Sequence, residues 1–211
     1  TLEPSSAASD VYKRQTLLYP QKEGKLEINP MTLDVSIDVP TNRRDFFGNI
    51  IYTQTSSKVS SNKKVVNVKS LPTENKPEDF FGAVGDFNIS LNSNKNELKA
   101  TESFQVELKI SGSGNLKLFS IPDLIVPSSL EKYDPEYSES VKIGLAGMNG
   151  NISNTYTIVP QFQGKYPIPR VKFSFFNPRL NKYSTIFSDE EIVDVYDCLL
   201  YTSDAADEGS S

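Results

Sequence analysis

The groups in this chain best able to do acid–base or metal chemistry are carboxylates: Asp34, Asp38, Asp123, Asp134 and the run Asp189-Glu190-Glu191. Paired carboxylates are the minimum for glycoside hydrolysis, and oxygen ligands alone can hold calcium. Alternation along the chain puts Asp34 and Asp38 on a solvated strand face, and the acidic run falls in a turn. No loop has the dense Asp/Asn spacing of a dedicated calcium site. The expectation is solvated charge, with no catalytic, cofactor-binding or metal-binding residue. The chain has no histidine, no tryptophan and a single cysteine, Cys198. Cys198 falls in a terminal segment read below as adapter-derived, so in the rest of the chain zinc sites built on Cys and His, thiol nucleophiles and Ser-His-Asp triads have no residues to use.

Ser111-Gly112-Ser113-Gly114-Asn115 has the look of a phosphate-cradling loop. It follows a strand pattern and precedes another strand, with no helix N-terminus to receive an anion, so it reads as a hairpin turn. Nucleic acid is not expected as a partner either, because no Lys/Arg stripe is present to neutralise phosphates. The nearest basic cluster, Lys58, Lys63 and Lys64, reads as a solvated hairpin.

The elements that carry these residues are strands. Met31-Thr32-Leu33-Asp34-Val35-Ser36-Ile37-Asp38-Val39 alternates apolar and polar without a slip, which predicts a strand with one face in a core and the other in water. Phe104 to Ile110 and Val171 to Phe175 repeat the pattern with β-branched and aromatic residues inward. Turn clusters separate them: 92–94, 112–115, 144–150, Pro167-Ile168-Pro169 and Asn177-Pro178. Short strands with frequent turns and no capped 3.6-residue periodicity predict an all-β sandwich. The 144–150 stretch, with apolar Leu145 and Met148, reads as a disordered connection or, failing that, a flexible contact surface.

Residues 5–15 and 198–208 look like one sequencing-adapter oligonucleotide translated from its two strands. Residues 1–15 and 198–211 are accordingly set aside as adapter-derived tails, and the remainder reads as a gene fragment. Setting them aside removes Lys13 and Arg14 against Glu3, Asp10, Asp204, Asp207 and Glu208, which moves the net charge from −5 to −2. No apolar run approaches the roughly 20 residues of a membrane-spanning helix.

An internal echo organises what is left. Tyr19-Pro20-Gln21-Lys22-Glu23-Gly24-Lys25-Leu26-Glu27-Ile28 aligns with Val159-Pro160-Gln161-Phe162-Gln163-Gly164-Lys165-Tyr166-Pro167-Ile168, and Ser61 to Val68 aligns with Ser188 to Val195. Residues 16–70 therefore read as the C-terminal half of one immunoglobulin-like sandwich domain, 71–78 as a linker and 79–197 as a complete second copy.

At Phe80-Phe81-Gly82-Ala83-Val84-Gly85-Asp86-Phe87 the chain resembles the BatD family, the oxygen-tolerance or aerotolerance proteins of bacterial envelopes. Gly112, Gly114 and Asn115 after the long strand, Tyr133-Asp134-Pro135, and the Pro160, Gly164 and Pro169 corner occur in the order that family shows. The likeness spans 80–196, with 17–70 as the end of a preceding similar domain. These motif positions are expected to be structural, with Phe81 and Phe87 plugging one end of the core. The resemblance implies an exported protein of tandem immunoglobulin-like domains on the periplasmic side of the inner membrane, tethered by a segment outside this fragment. It also implies von Willebrand A-domain membrane proteins as partners and a non-enzymatic scaffolding role. A carbohydrate-binding or adhesion module is the alternative, with Tyr133, Tyr137, Tyr156 and Tyr183 available to stack on sugars.

Overall fold

The computed structural model describes residues 17–20 and 22–196, so both adapter-like ends, 1–15 and 198–211, lie outside the described residues. Every regular element among the described residues is a β-strand. The chain divides into two compact units, one over 19–71 and one beginning at Pro72.

The first unit contains β1 (Gly24–Ile28), β2 (Thr32–Arg44), β3 (Ile50–Ser60) and β4 (Lys64–Val68). β1 pairs antiparallel with β4, and β2 pairs antiparallel with β3 from Thr32↔Ser60 onward. The predicted alternation forms its strand, but the expected core face does not close: Leu33, Val35, Ile37 and Val39 are all exposed. The basic cluster is solvated, with Lys63 paired to Glu27 at 2.7 Å and Lys58 reaching Asp34 at 4.0 Å.

The second unit is a two-layer β-sandwich. Its larger sheet runs β13 (Lys182–Phe187), β12 (Lys172–Asn177), β5 (Phe80–Ser93), β7 (Phe104–Gly114), β10 (Gly147–Pro160) and β8 (Leu130–Lys132), with β9 (Glu136–Gly144) also on β10. The smaller layer is β11 (Gly164–Ile168), β14 (Glu191–Tyr196) and β6 (Glu97–Lys99). Alternate side chains of β7 (Phe104, Val106, Leu108) and of β10 (Tyr156, Ile158) meet Leu98, Tyr166, Ile168, Val193 and Val195 of the smaller layer in one buried cluster. The odd-numbered positions of β7 stay outward, where Lys109 pairs with Glu107 at 2.8 Å. This is the period-2 pattern turned into two faces.

Two expectations need correction. Residues 111–114 are not a turn: Ser111, Gly112, Ser113 and Gly114 continue β7, paired with β5 and β10, and the chain turns afterwards, where Leu118 N donates to Asn115 O. The 144–150 stretch is not disordered: β9 and β10 form a hairpin through Gly144↔Gly147 with the turn confined to Leu145 and Ala146, and Met148 is buried rather than facing a partner. The stretch read as a linker is held on the second unit from Pro72 on. Tyr183 donates its hydroxyl to Pro72 O at 2.7 Å, and Lys76 sits over the Phe80 ring.

Candidate contact surface

The family-motif residues gather where β5 crosses β7. Gly85 faces Gly114, Phe87 faces Gly112, and Gly112 faces Gly150 on its other side. A Cβ on Gly112 would stand 2.1 Å from Asp86 O, and one on Gly85 2.2 Å from Ser113 O. Glycine is required there because backbone and the Phe87 ring fill the space a side chain would take. Phe87 packs edge-on to Phe119 and Phe175 at 5.4 and 5.5 Å. Asn115 locks the entry of β5: its Oδ1 accepts from Val84 N at 2.7 Å, its Nδ2 donates to Gly82 O at 2.8 Å, and its own N–H donates to Val84 O. These bonds commit Asn115 to holding the backbone of β5. Phe81, expected to plug the core beside Phe87, is instead 68% exposed. It is the neighbouring Phe80 that is packed, against Tyr183 at 5.1 Å.

The remaining motif positions scatter over the second unit. Pro160 ends β10 opposite Leu130, Gly164 opens β11 opposite Val195, and Pro169 follows that strand; Tyr133 donates its hydroxyl to Glu131, two residues before Pro135.

The carboxylates do not converge. Asp123 is held by Lys132 at 2.8 and 3.0 Å and by the Tyr156 hydroxyl at 3.2 Å. The Lys132 bond, then its charge, keeps the Asp123 carboxyl below the usual range, while burial pushes the Tyr156 hydroxyl up. Tyr156 also accepts from Leu124 N, so the trio clamps a crossing segment onto the core. Among the described residues no three acidic, His or Cys side chains stand close enough to hold a metal. Of the four tyrosines considered for sugar stacking, Tyr156 is fully buried and Tyr183 is packed between Phe80 and Phe176. Tyr133 and Tyr137 remain exposed.

The surface that sequence reasoning missed is β9. Cross-strand partners share a face, and β9 sets Ile143 opposite Met148 and Glu139 opposite Ile152, both of which point into the core. Tyr137, Glu139, Val141 and Ile143 therefore lie on the core side of the larger sheet. Even so, Tyr137 and Ile143 are each 56% exposed. The three-stranded layer is narrower than the sheet it covers, and β9 lies beyond its reach. Glu139 joins Lys117 and Tyr137 there in one polar group, and the Lys117 bond holds its carboxyl below the usual range. Among the described residues β9 pairs with β10 alone, so along residues 136–143 its outer edge has no described strand beside it. Leu145 caps the hairpin, almost wholly in solvent. The signal was present as the alternation Tyr137, Glu139, Val141, Ile143, masked by a charged residue in the apolar register.

Residues 91–195 match the family model described as the BatD DUF11 like domain. No curated protein and no solved structure matches the chain.

Proposed function

Its second unit being a domain of the BatD family, we propose that this chain is a non-enzymatic, protein-binding component of the bacterial envelope that docks neighbouring membrane proteins through β9. The observation that carries the reading is an edge strand whose core-side residues Tyr137 and Ile143 are left half uncovered beside an outer edge, along 136–143, that no described strand pairs. Such an edge accepts an extended segment by strand addition: main-chain hydrogen bonds supply affinity, and the side chains of alternate residues supply specificity. The polar group of Lys117, Glu139 and Tyr137 would border the contact and fix register. The family resemblance suggests the A-domain membrane proteins as partners, the periplasmic face of the inner membrane as the place, and oxygen or stress tolerance as the physiological role.

The test is binding of a purified von Willebrand A-domain to the chain by surface-immobilised titration. Replacing Ile143 by Lys together with Tyr137 by Ser is expected to weaken binding at least about tenfold, the scale of a lost interface anchor, with the circular dichroism spectrum unchanged. Unaltered affinity in the folded variant would remove β9 as the contact. Retention on polysaccharide, lost on Tyr133→Ala and Tyr137→Ala, would instead favour the carbohydrate-binding reading.

A further inference from the structure

A strand that extends the larger sheet beyond β9 must respect the two faces of β9, because residues directly opposite in an antiparallel pair lie on one side of the sheet. The core side carries Tyr137, Glu139, Val141 and Ile143, and the solvent side carries Glu136, Ser138, Ser140 and Lys142. Suppose the added strand is a second β9, related to the first by a two-fold axis normal to the sheet. The axis then passes through a residue, which is set opposite itself, and every other pairing follows from that choice.

Two axes leave the longest ladder within 136–143: one through Glu139, over 136–142, and one through Ser140, over 137–143. The first matches Glu136 with Lys142, but it sets Glu139 against Glu139 on the half-covered side and leaves Ile143 without a partner. Like charges directly opposite are destabilising. The second axis pairs Tyr137 with Ile143 at both ends of the ladder, Glu139 with Val141, and Ser138 with Lys142. It matches the two residues that are each 56% exposed, so four half-open side chains become two aromatic and β-branched cross-strand pairs. Glu139 keeps the bonds of its own chain, to Lys117 and to the Tyr137 hydroxyl at 3.1 Å, so no acid is stripped of its partners. On the solvent side Lys142 falls diagonal to Glu136 of the second copy, twice across the axis, with opposite signs.

We infer that β9 is a self-recognition edge: two copies of this chain join antiparallel along 137–143 about Ser140, which continues the larger sheet of one copy into that of the other. Such a contact is isologous and closed, so it stops at a dimer and does not grow into a filament. The ladder is short and its side-chain contacts few, which places the interface at the small, concentration-dependent end of the scale. One edge accepts one strand, so self-pairing competes with the membrane-protein segment proposed above and holds the edge closed until a partner displaces the second copy. The inference rests on β9 as the contact strand and not on the identity of that partner.

Sedimentation of the 211-residue chain under reducing conditions, which remove any bridge through Cys198, is expected to show a monomer–dimer equilibrium. Ser140 is exposed, and Ser140→Lys sets two cations face to face at the axis. It is expected to weaken the dimer at least about tenfold. Ser140→Glu should do the same, and an equimolar mixture of the two variants should restore the dimer, since only this axis places residue 140 opposite itself. With Cys198 replaced by Ser, Ser140→Cys is expected to form a disulfide-linked dimer under mild oxidation, because directly opposite Cα atoms lie about 4.5–5.5 Å apart. Ser138→Cys, about 14 Å from its own copy in this register, should not. A chain that stays monomeric at every concentration, or a dimer indifferent to Ser140→Lys, overturns the inference and leaves the A-domain titration to be judged alone. A dimer that dissociates on Ser140→Lys, in a chain that binds no A-domain, upholds the inference and removes the proposed partner instead.

Discussion

β2 and β12 are the same strand in two circumstances. Each is paired to a following strand, each is preceded by a residue whose N–H a serine hydroxyl clamps (Met31 by Ser61, Val171 by Ser188, both at 2.9 Å), and each alternates correctly. Yet β12 buries Phe173, Phe175 and even Ser174 and Phe176 on its opposite face, while β2 buries none of its apolar residues. Pairing and register are thus local properties, set by the hairpin and the alternation. Burial is supplied by other strands, and it is burial that gives substitutions their cost.

That contrast can be broken in graded ways. The largest effect is expected for Gly112→Ala, where the new Cβ meets backbone at 2.1 Å and φ is +149°. It should destabilise the second unit by about 4 kcal/mol or more, the range reserved for overpacking combined with backbone strain. Gly24→Ala has a φ of +108° but nothing within 4 Å, and should cost only the strain, about 1–2 kcal/mol. Urea unfolding of both variants measures the gap, and equal costs would show that crowding at the β5–β7 crossing has been misjudged.

Next in size, Phe173→Ala should cost about 3–5 kcal/mol, since its ring packs on Phe87 and Phe119. Leu33→Ala, at the aligned exposed position, should cost under about 1 kcal/mol. Thermal melts of the two variants would erase the comparison if the shifts were alike. Asn115→Ala removes the two side-chain bonds to Val84 and Gly82 and leaves a half-buried donor and acceptor unpaired, for an expected loss of about 1–3 kcal/mol; Asn115→Asp, which keeps the acceptor alone, should fall between.

The Ser clamps give a finer comparison. Ser188 is buried and Ser61 exposed, so Ser188→Ala should cost about 1–2 kcal/mol and Ser61→Ala about 0.5 kcal/mol or less, because water replaces the lost bond only at the exposed site. The smallest effect is a pH dependence. Burial pushes the Asp79 carboxyl up, but the hydrogen bonds from Lys172 and Ser174 outweigh it and hold the carboxyl below its ordinary value. Its contribution to the second unit is therefore complete above the ordinary carboxylate range and is lost as the pH falls below about 4. Asp79→Asn should flatten that limb of a stability-against-pH curve, and an unchanged limb would assign the acid sensitivity to other carboxylates such as Asp123.

Much of this was legible in the residues. Alternation located β2, β7 and β12 within a few positions, because a strand's side chains must part to two faces whatever surrounds it. The echo of Gly24 in Gly164 and of Ser61 in Ser188 anticipated the matching registers. The glycines at 112 and 114 were seen but placed in a turn, since a sequence shows that a Cβ is absent without showing what presses on the position. Phe81 and Phe80 were exchanged for a related reason: β5 bends past Gly82, whose φ is +89°, and a simple alternation cannot be counted through such a bend. Asp123 looked like a free acid because its partners, Lys132 and Tyr156, lie on β8 and β10, away from it in sequence.

Composition and spacing alone determined that this chain is built of strands, which residues share a strand face, and that its chemistry rests on carboxylates without histidine, because those properties follow from each residue and its near neighbours. Only the tertiary structure decided which of those faces is covered, which glycines carry the crossing of β5 on β7, and that β9 is left with an apolar side and an edge that no described strand pairs. Coverage depends on strands far apart in sequence meeting in space, and the width of one layer against another is written in no single segment.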